Sequence, residues 1–324
     1  MEASIITTYR CTNRCQMCHI WKFPTKPEEE FRPSLLKTLP KLSFCNITGG
    51  EPFLRDDIDE ITHILIQKAK RIVISTNGYF VQKILDLGKK YRTIGIRISV
   101  EGLSATNAKL RGTRNGFDRA LTALIELKRL GLKDIGFGIT VSDRNAEDLL
   151  QLYQLSRALK MEFATAVVHN SYYFHKYDNR IVRKEEVIKN FKILIIRLLK
   201  TWKLKNWYRA YFNSGLIDYI QGKSRLLPCG AGTDMFFLDP WGEIRPCNGM
   251  EESLWFESMG NLNEKSFEEI WNSEKAKDLR KKVKSCPKNC WMIGTASPAI
   301  KRNFWKSTSW VLRNKIYVTL KNSL

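Results

Sequence analysis

The sequence has no run of 18 apolar residues, so a helix that crosses a membrane is not expected. The opening Met1-Glu-Ala-Ser-Ile-Ile-Thr-Thr-Tyr-Arg-Cys11 has no basic segment leading into an apolar one. The expectation is therefore a chain without a secretory signal and with a cytoplasmic location. Cysteine is too scarce, at eight in 324 residues, for a disulfide scaffold of this length. In a reducing compartment, clustered thiols hold metal or do chemistry. No internal repeat divides the chain. Acid is in short supply: 33 Asp and Glu face 54 Lys and Arg, for a formal net charge of +21. Such an excess repels itself and attracts anions. Nucleic acid, an anionic membrane and phosphorylated substrates are all compatible with it, and charge alone does not choose among them.

What is present reads as an α/β protein. The length suits one large domain or two smaller ones with ample core, and the hydrophobic share of 43% is ordinary for a globular chain. Strand-length apolar or alternating runs recur at Ala3–Thr8, Ser43–Thr48, Arg71–Ser75, Thr93–Val100, Asp134–Val141 and Glu162–Val168. Helical spacing lies between them, as in Ile58, Ile61, Leu65 and Ala69, or Phe117, Leu121, Leu124 and Leu127. Asn145 is expected to cap the helix that carries Leu149, Leu152 and Leu155. Strand and helix alternate six times over residues 3–168, which predicts a parallel sheet with helices outside it. Ligands in such sheets sit at the carboxyl ends of the strands.

The texture then changes. Residues 169–180 are polar and aromatic, as in a linker or lid, and 183–203 read as a helix with Val187, Phe191, Leu194 and Leu198. The expected divisions are a core at 1–180, bridging helices at 181–220, a smaller module at 221–297 and a basic aromatic tail at 298–324. From Lys301 onward there are six Lys or Arg and no acid. Trp305, Leu312, Ile316 and Leu320 could share one helical face. That face suits either an interfacial helix on a membrane surface or a helix docked on the protein body.

Cys11-Thr-Asn-Arg-Cys15-Gln-Met-Cys18 places three thiols within eight residues, directly after a predicted strand. Soft thiolates suit iron–sulfur clusters and zinc. Closed zinc sites and ordinary four-iron sites use four protein ligands, and no fourth Cys is near. Three thiolates on a cluster leave one iron open to an external ligand. This C-x3-C-x2-C spacing resembles the radical S-adenosylmethionine (radical SAM) superfamily. The resemblance implies a partial (β/α)6 TIM-type barrel and a [4Fe–4S] cluster on Cys11, Cys15 and Cys18. Its open iron would be chelated by S-adenosylmethionine, whose cleavage gives a 5′-deoxyadenosyl radical that takes hydrogen from substrate. An external electron donor such as flavodoxin or ferredoxin is implied as a partner.

Further segments match in order. Gly49-Gly50-Glu51-Pro52 follows the second strand and resembles the family's segment at the methionine amino group. Ser75-Thr76-Asn77-Gly78 follows the third, and Ser99-Val100-Glu101-Gly102 ends the fourth, with Arg111 further on. These are similar to motifs near the cofactor's ribose and carboxylate, so Ser75, Asn77, Ser99, Glu101 and Arg111 are expected at the cofactor. Glu101 departs from the commoner Asp, which leaves its contact open. Arg111 suits a carboxylate because its planar fork can bind both oxygens. Met17 stands where the family often has an aromatic near adenine, and could pack there or in the core. Cys45, in mid-strand, reads as a small buried hydrophobe.

Cys229 is followed after twelve residues by Gly242, then by Cys247, Cys286 and Cys290. Met235–Leu238 and the turn at Asp239-Pro-Trp-Gly242 predict a small hairpin. Four thiols could close a metal site, of zinc or of iron. The pattern resembles the SPASM/twitch family of auxiliary cluster modules. Lys277 and Arg280 stand where a full SPASM domain has further cysteines. The resemblance therefore implies one auxiliary [4Fe–4S] cluster on Cys229, Cys247, Cys286 and Cys290.

The reading that follows is a radical SAM oxidoreductase-like enzyme acting on an anionic sugar or lipid-linked substrate, by oxidation or epimerisation. SPASM-type peptide or protein modification is the alternative within the class. A non-enzymatic metal protein that binds nucleic acid is the alternative outside it, and nucleic acid is not the expected partner. The early first strand weighs against an N-terminal peptide-binding domain. The tail adds an expectation of peripheral contact with the inner membrane surface. His169, Tyr172, Tyr173 and His175 follow the sixth strand and could face substrate, but are assigned no catalytic role.

Overall fold

A computed structural model describes residues 1–250 and 257–320. Six parallel strands lead the chain: β1 (Glu2–Ile6), β2 (Phe44–Thr48), β3 (Ile72–Thr76), β4 (Gly95–Ser99), β5 (Ile135–Val141) and β6 (Glu162–Val167). Their crossovers carry α1 (Ile58–Lys68), α2 (Val81–Lys90), α3 (Ser104–Arg111), α4 (Gly116–Arg129) and α5 (Asp148–Ala158). Parallel strands covered by helices bury their apolar residues, and Ile47, Ile74, Ile96, Ile98 and Phe137 are fully enclosed. Cys45 is enclosed with them, a core residue as its mid-strand position suggested.

Then come α6 (Lys184–Leu199) and α7 (Leu204–Ile220), an antiparallel pair. The chain next returns to the sheet through β7 (Met235–Leu238), which lies parallel to β1. β8 (Glu243–Arg245) and β9 (Gly260–Asn261) continue antiparallel. The result is one nine-stranded sheet in the order β6-β5-β4-β3-β2-β1-β7-β8-β9. β1 therefore has a neighbour on each side, with Ala3 opposite both Cys45 and Phe236. All five of its residues are buried.

α8 (Phe267–Asn272), α9 (Glu274–Lys284), α10 (Ile293–Arg302) and α11 (Phe304–Leu320) close the described chain. Ser266 and Glu269 form a reciprocal cap at the start of α8, and the Ser273 hydroxyl caps α9. α11 docks on α7 by the face that carries Ser307 and Val311. Its other face, with Trp305, Leu312, Ile316 and Leu320, is exposed. No described helix is long and apolar enough to cross a membrane.

One local expectation fails. Asn145 does not cap α5, whose N-cap is Glu147. Its amide is buried instead, accepting from the Ser142 backbone N–H at 2.8 Å and donating to the carbonyls of Glu101 (2.8 Å) and Thr140 (3.0 Å). Buried backbone groups at the β4 and β5 ends claimed the side chain before the helix could.

Candidate functional site

The loop that leaves β1 is held on three sides. The Gly50 and Glu51 N–H groups donate to the Thr8 (2.7 Å) and Arg10 (2.8 Å) carbonyls. On the α3 side, Arg14 N–H donates to Arg111 O at 3.1 Å and Gln16 N–H to Leu110 O at 2.9 Å. From the segment after β6, Phe174 O accepts from His19 N–H at 2.8 Å. Gly50 is required at this junction, because a Cβ there would collide with the Arg10 carbonyl. Gly112 ends α3 in the left-handed region, at φ 67°, against the Arg14 backbone.

Within that frame Cys11, Cys15 and Cys18 lie close enough to feel one another's charge. Burial, with a smaller push from the neighbouring Cys15 charge, raises the Cys11 thiol to about 11. Burial likewise raises Cys15 and Cys18, and Cys18 feels both other thiols. Arg111 is the nearby cation. Burial works against its charge, but Cys15, Glu101, Cys11 and Glu51 outweigh that and raise it. A buried cation beside three half-buried thiols suits an anionic cluster and a carboxylate ligand.

The downstream motifs meet at the same place, and they brace each other. Glu51 is fully buried, and burial raises its pKa. Its carboxylate accepts from Thr76 Oγ1 (2.7 Å), Asn77 N–H (2.7 Å) and Phe53 N–H (3.1 Å). Pro52 starts the short turn that presents Phe53. The Asn77 amide donates to Thr12 Oγ1 at 2.9 Å and lies 3.9 Å from Cys11 Sγ. Ser75 donates to Asn46 Oδ1 at 3.0 Å. Ser99 ends β4 opposite Gly138. Glu101 forms a buried ion pair with Arg111 at 3.0 Å, and its other oxygen accepts from Thr140 N–H at 2.6 Å. Met17 packs partly buried against the core, and its carbonyl accepts from Asn179 at 3.1 Å.

The segment 169–180 closes over this loop. Tyr173 Oη donates to Gly49 O at 2.8 Å, and Tyr9 meets the rings of Tyr173, His175 and Trp241 edge-on. Tyr172 N–H donates to Met250 O at 2.9 Å, which ties the segment to the C-terminal module. Beneath the loop lies a network that sequence reading missed. Glu30 contacts Thr8 and accepts from Thr25 (2.6 Å), pairs with Arg10 (2.8 Å) and meets Arg55 at 3.4 Å. Arg55 also donates to the carbonyls of Thr7 (3.1 Å) and Phe31 (2.8 Å) and pairs with Asp57 at 2.7 Å. Its only sequence signal is four ordinary charges, Arg10, Glu30, Arg55 and Asp57, scattered around the second strand.

The second thiol group also converges. Desolvation raises the pKa of half-buried Cys247, which also feels Cys290, Cys229 and Cys286. Gly249 N–H donates to Cys247 Sγ at 3.1 Å. Arg225 contacts the Cys290 carbonyl and lowers the raised Cys290 thiol. The two positions that lack cysteine have other duties. Arg280 donates to the Gly232 and Trp271 carbonyls, both at 2.7 Å, and covers the Trp271 ring; Lys277 pairs with Glu274 at the surface. Beside Cys290 lies a cavity of about 210 Å³, whose walls include His169, Asn170, Tyr219, Lys288 and Asn289. Burial lowers His169 to about 4, so its imidazole is neutral at pH 7, and its buried Nε2 has no hydrogen-bond partner.

Among the described residues, no three His, Cys, Asp or Glu side chains close around one point as ligands of a single ion do. Thiolates of a four-iron cube bind different irons and stand farther apart. Two thiol sets, three and four strong, fit such cubes by donor chemistry.

The radical SAM superfamily matches residues 5–156, and the SPASM iron–sulfur cluster-binding domain matches residues 229–292. The chain is 30% identical over 157 residues to Fe-coproporphyrin III synthase of Methanosarcina barkeri, a match over 46% of this chain and 39% of that protein. It is 25% identical over 292 residues to AlbA, the antilisterial bacteriocin subtilosin biosynthesis protein of Bacillus subtilis. That match takes in 84% of this chain and 60% of AlbA. The chain thus spans less than two thirds of either relative. The fold is similar to SuiB of Streptococcus suis bound to its precursor peptide SuiA, with a TM-score of 0.64, 17% identity, and coverage of 92% of this chain and 74% of that one.

Proposed function

We propose that this chain, which carries a radical SAM domain and a C-terminal SPASM domain, is an enzyme that oxidises or epimerises a small hydroxylated, anionic group, as in a sugar or lipid-linked substrate. The cofactors are a [4Fe–4S] cluster, S-adenosylmethionine and an auxiliary iron–sulfur centre. When bound, they supply one-electron cleavage of the sulfonium and a site to accept an electron from substrate. In this reading Cys11, Cys15 and Cys18 hold the first cluster, and Cys229, Cys247, Cys286 and Cys290 hold one auxiliary cluster. Gly49 to Pro52, Ser75, Asn77, Ser99 and the Glu101–Arg111 pair shape the cofactor pocket, with Met17 near it. In the same reading the modules are a core at 1–180, bridging helices at 181–220, a cluster module at 221–297 and a tail at 298–324. Electrons come from an external donor of the flavodoxin or ferredoxin kind.

The cavity beside Cys290 carries the substrate reading. At about 210 Å³ it is smaller than the roughly 300–1,000 Å³ of sites that enclose a drug-sized ligand. It has amide, phenol and imidazole groups, one cation in Lys288 and no carboxylate in its wall. That lining suits hydroxyls and one negative charge, and neutral His169 can accept a hydroxyl hydrogen bond at Nε2. A peptide substrate is the second reading. It rests on the likeness to AlbA, which runs through both domains.

The test is anaerobic turnover of the reconstituted enzyme with reductant, S-adenosylmethionine and C-deuterated candidates. Sugar phosphates and nucleotide sugars should stimulate 5′-deoxyadenosine formation and pass deuterium to it. Stimulation by peptides alone would overturn the sugar reading in favour of the second.

A further inference from the structure

A second and larger cavity, of about 560 Å³, opens at the other end of the sheet. It lies between the end of α5, the start of β6 and the α6–α7 turn. Seven basic side chains and one carboxylate line it. The carboxylate, Glu162, is already engaged by Lys205 at 2.8 Å and by Arg209. Arg157, Lys160, Arg197, Lys200 and Lys203 have no ion pair among the described residues. Two buried groups in the wall are also unmatched: Arg197 Nη1 and Tyr153 Oη lack hydrogen-bond partners. Leaving such groups unsatisfied costs about 1–3 kcal/mol each. Lys160 is held in the left-handed region at φ 52°, where glycine is favoured, so a cation stands at the mouth despite the backbone's preference.

We propose that this cavity binds a multivalent oxyanion of the phosphate class. An oxyanion there would offset five unpaired charges, in a wall where Arg197 Nη1 and Tyr153 Oη also lack partners. The strands are parallel, and the thiol loop leaves β1 at its carboxyl end, whereas Glu162 begins β6. The anion therefore sits at the opposite end of the sheet from the cluster loop, as an effector or an anchor rather than a substrate. Neither source is required by the chemistry: a soluble diphosphate and a phospholipid headgroup present the same oxygens.

The experiment is calorimetric titration of the anaerobic, cluster-loaded enzyme with inorganic pyrophosphate. One saturable site is expected, weakened as salt rises. The double variant Arg197→Gln/Lys200→Gln should lose at least about tenfold in affinity, and the control Lys83→Gln/Lys90→Gln should not. Lys160→Gly separates binding from folding, because it relieves the backbone while removing a charge. It should bind severalfold more weakly at an equal or higher Tm. Co-sedimentation with phosphatidic acid vesicles, competed by pyrophosphate, would identify a headgroup as the source; pyrophosphate binding without vesicle binding would identify a soluble one. Absence of saturable binding at millimolar pyrophosphate, or equal binding by wild type and both cavity variants, would overturn the proposal.

Discussion

The two thiol sites are built in opposite ways. The first takes its three cysteines from one eight-residue loop, and distant parts of the chain bend in to support it: 50–51, 110–111 and 174. The second takes four cysteines from positions 229, 247, 286 and 290, and brings them together only when the β7–β8 hairpin and the chain after α9 are in place. The first is a local motif on a shared scaffold. The second is a product of the tertiary fold, with little scaffold of its own.

Removing one thiol from each site should separate them most sharply. Cys15→Ala should reduce 5′-deoxyadenosine formation to the level seen without enzyme, while iron falls from about eight to about four per chain. Cys290→Ala should lower iron by the same amount, yet leave S-adenosylmethionine cleavage measurable and abolish the substrate product. Equal loss of cleavage in both variants would erase the division of labour.

Stability offers the next contrast. Arg55→Met removes a cation from the buried network beneath the first loop and should cost about 3 kcal/mol in urea unfolding. The comparable Arg280→Met in the second module breaks contacts with two carbonyls and one ring, and should cost about 1–2 kcal/mol. A reversed order would show that the module, not the loop, carries the stronger brace.

The smallest effect is expected at the base of the core sheet. Burial would raise the Asp134 carboxyl, but the adjoining Arg97 and Arg71 hold it down at about 2. Its ordinary value is 3.8, so the pairing stabilises the fold above that pH and loses its effect as pH falls toward 2. Solvent reaches the pair, which limits the contribution to about 1 kcal/mol. Asp134→Asn should flatten that part of the pH–stability curve and leave the second site's iron content unchanged.

The same contrast governs what could be read from the sequence. The six core strands follow from short apolar runs, because each buries apolar residues in the sheet; Ile72–Thr76 lies one residue further along than the sequence reading at each end, and Ile135–Val141 starts one residue later and ends at the same place. The cysteine spacings were visible for the same local reason. β7 beside β1 was not, since Met235–Leu238 looks like any hairpin strand and its parallel partner lies at the far end of the chain. Asn145 misled because capping residues and buried bridging residues share a side chain. The Glu30–Arg55 network was silent because its members become informative only once their burial is known. The tail stripe of Trp305, Leu312, Ile316 and Leu320 was read as one helical face, and it is one, turned away from α7.

The placement of β1 also bears on how the chain reaches this state. As the protein is synthesised, Glu2–Ile6 emerges long before Met235–Leu238, and until then one of its edges has no neighbour. Exposed strand edges recruit other chains, and pairings so far apart in sequence form slowly. The interval between the two strands is therefore when a nascent chain is most open to aggregation, and when a chaperone that shields that edge would raise yield most. Coexpression that slows elongation before residue 235 should lower the soluble fraction, and a β7 peptide supplied in trans should restore part of it.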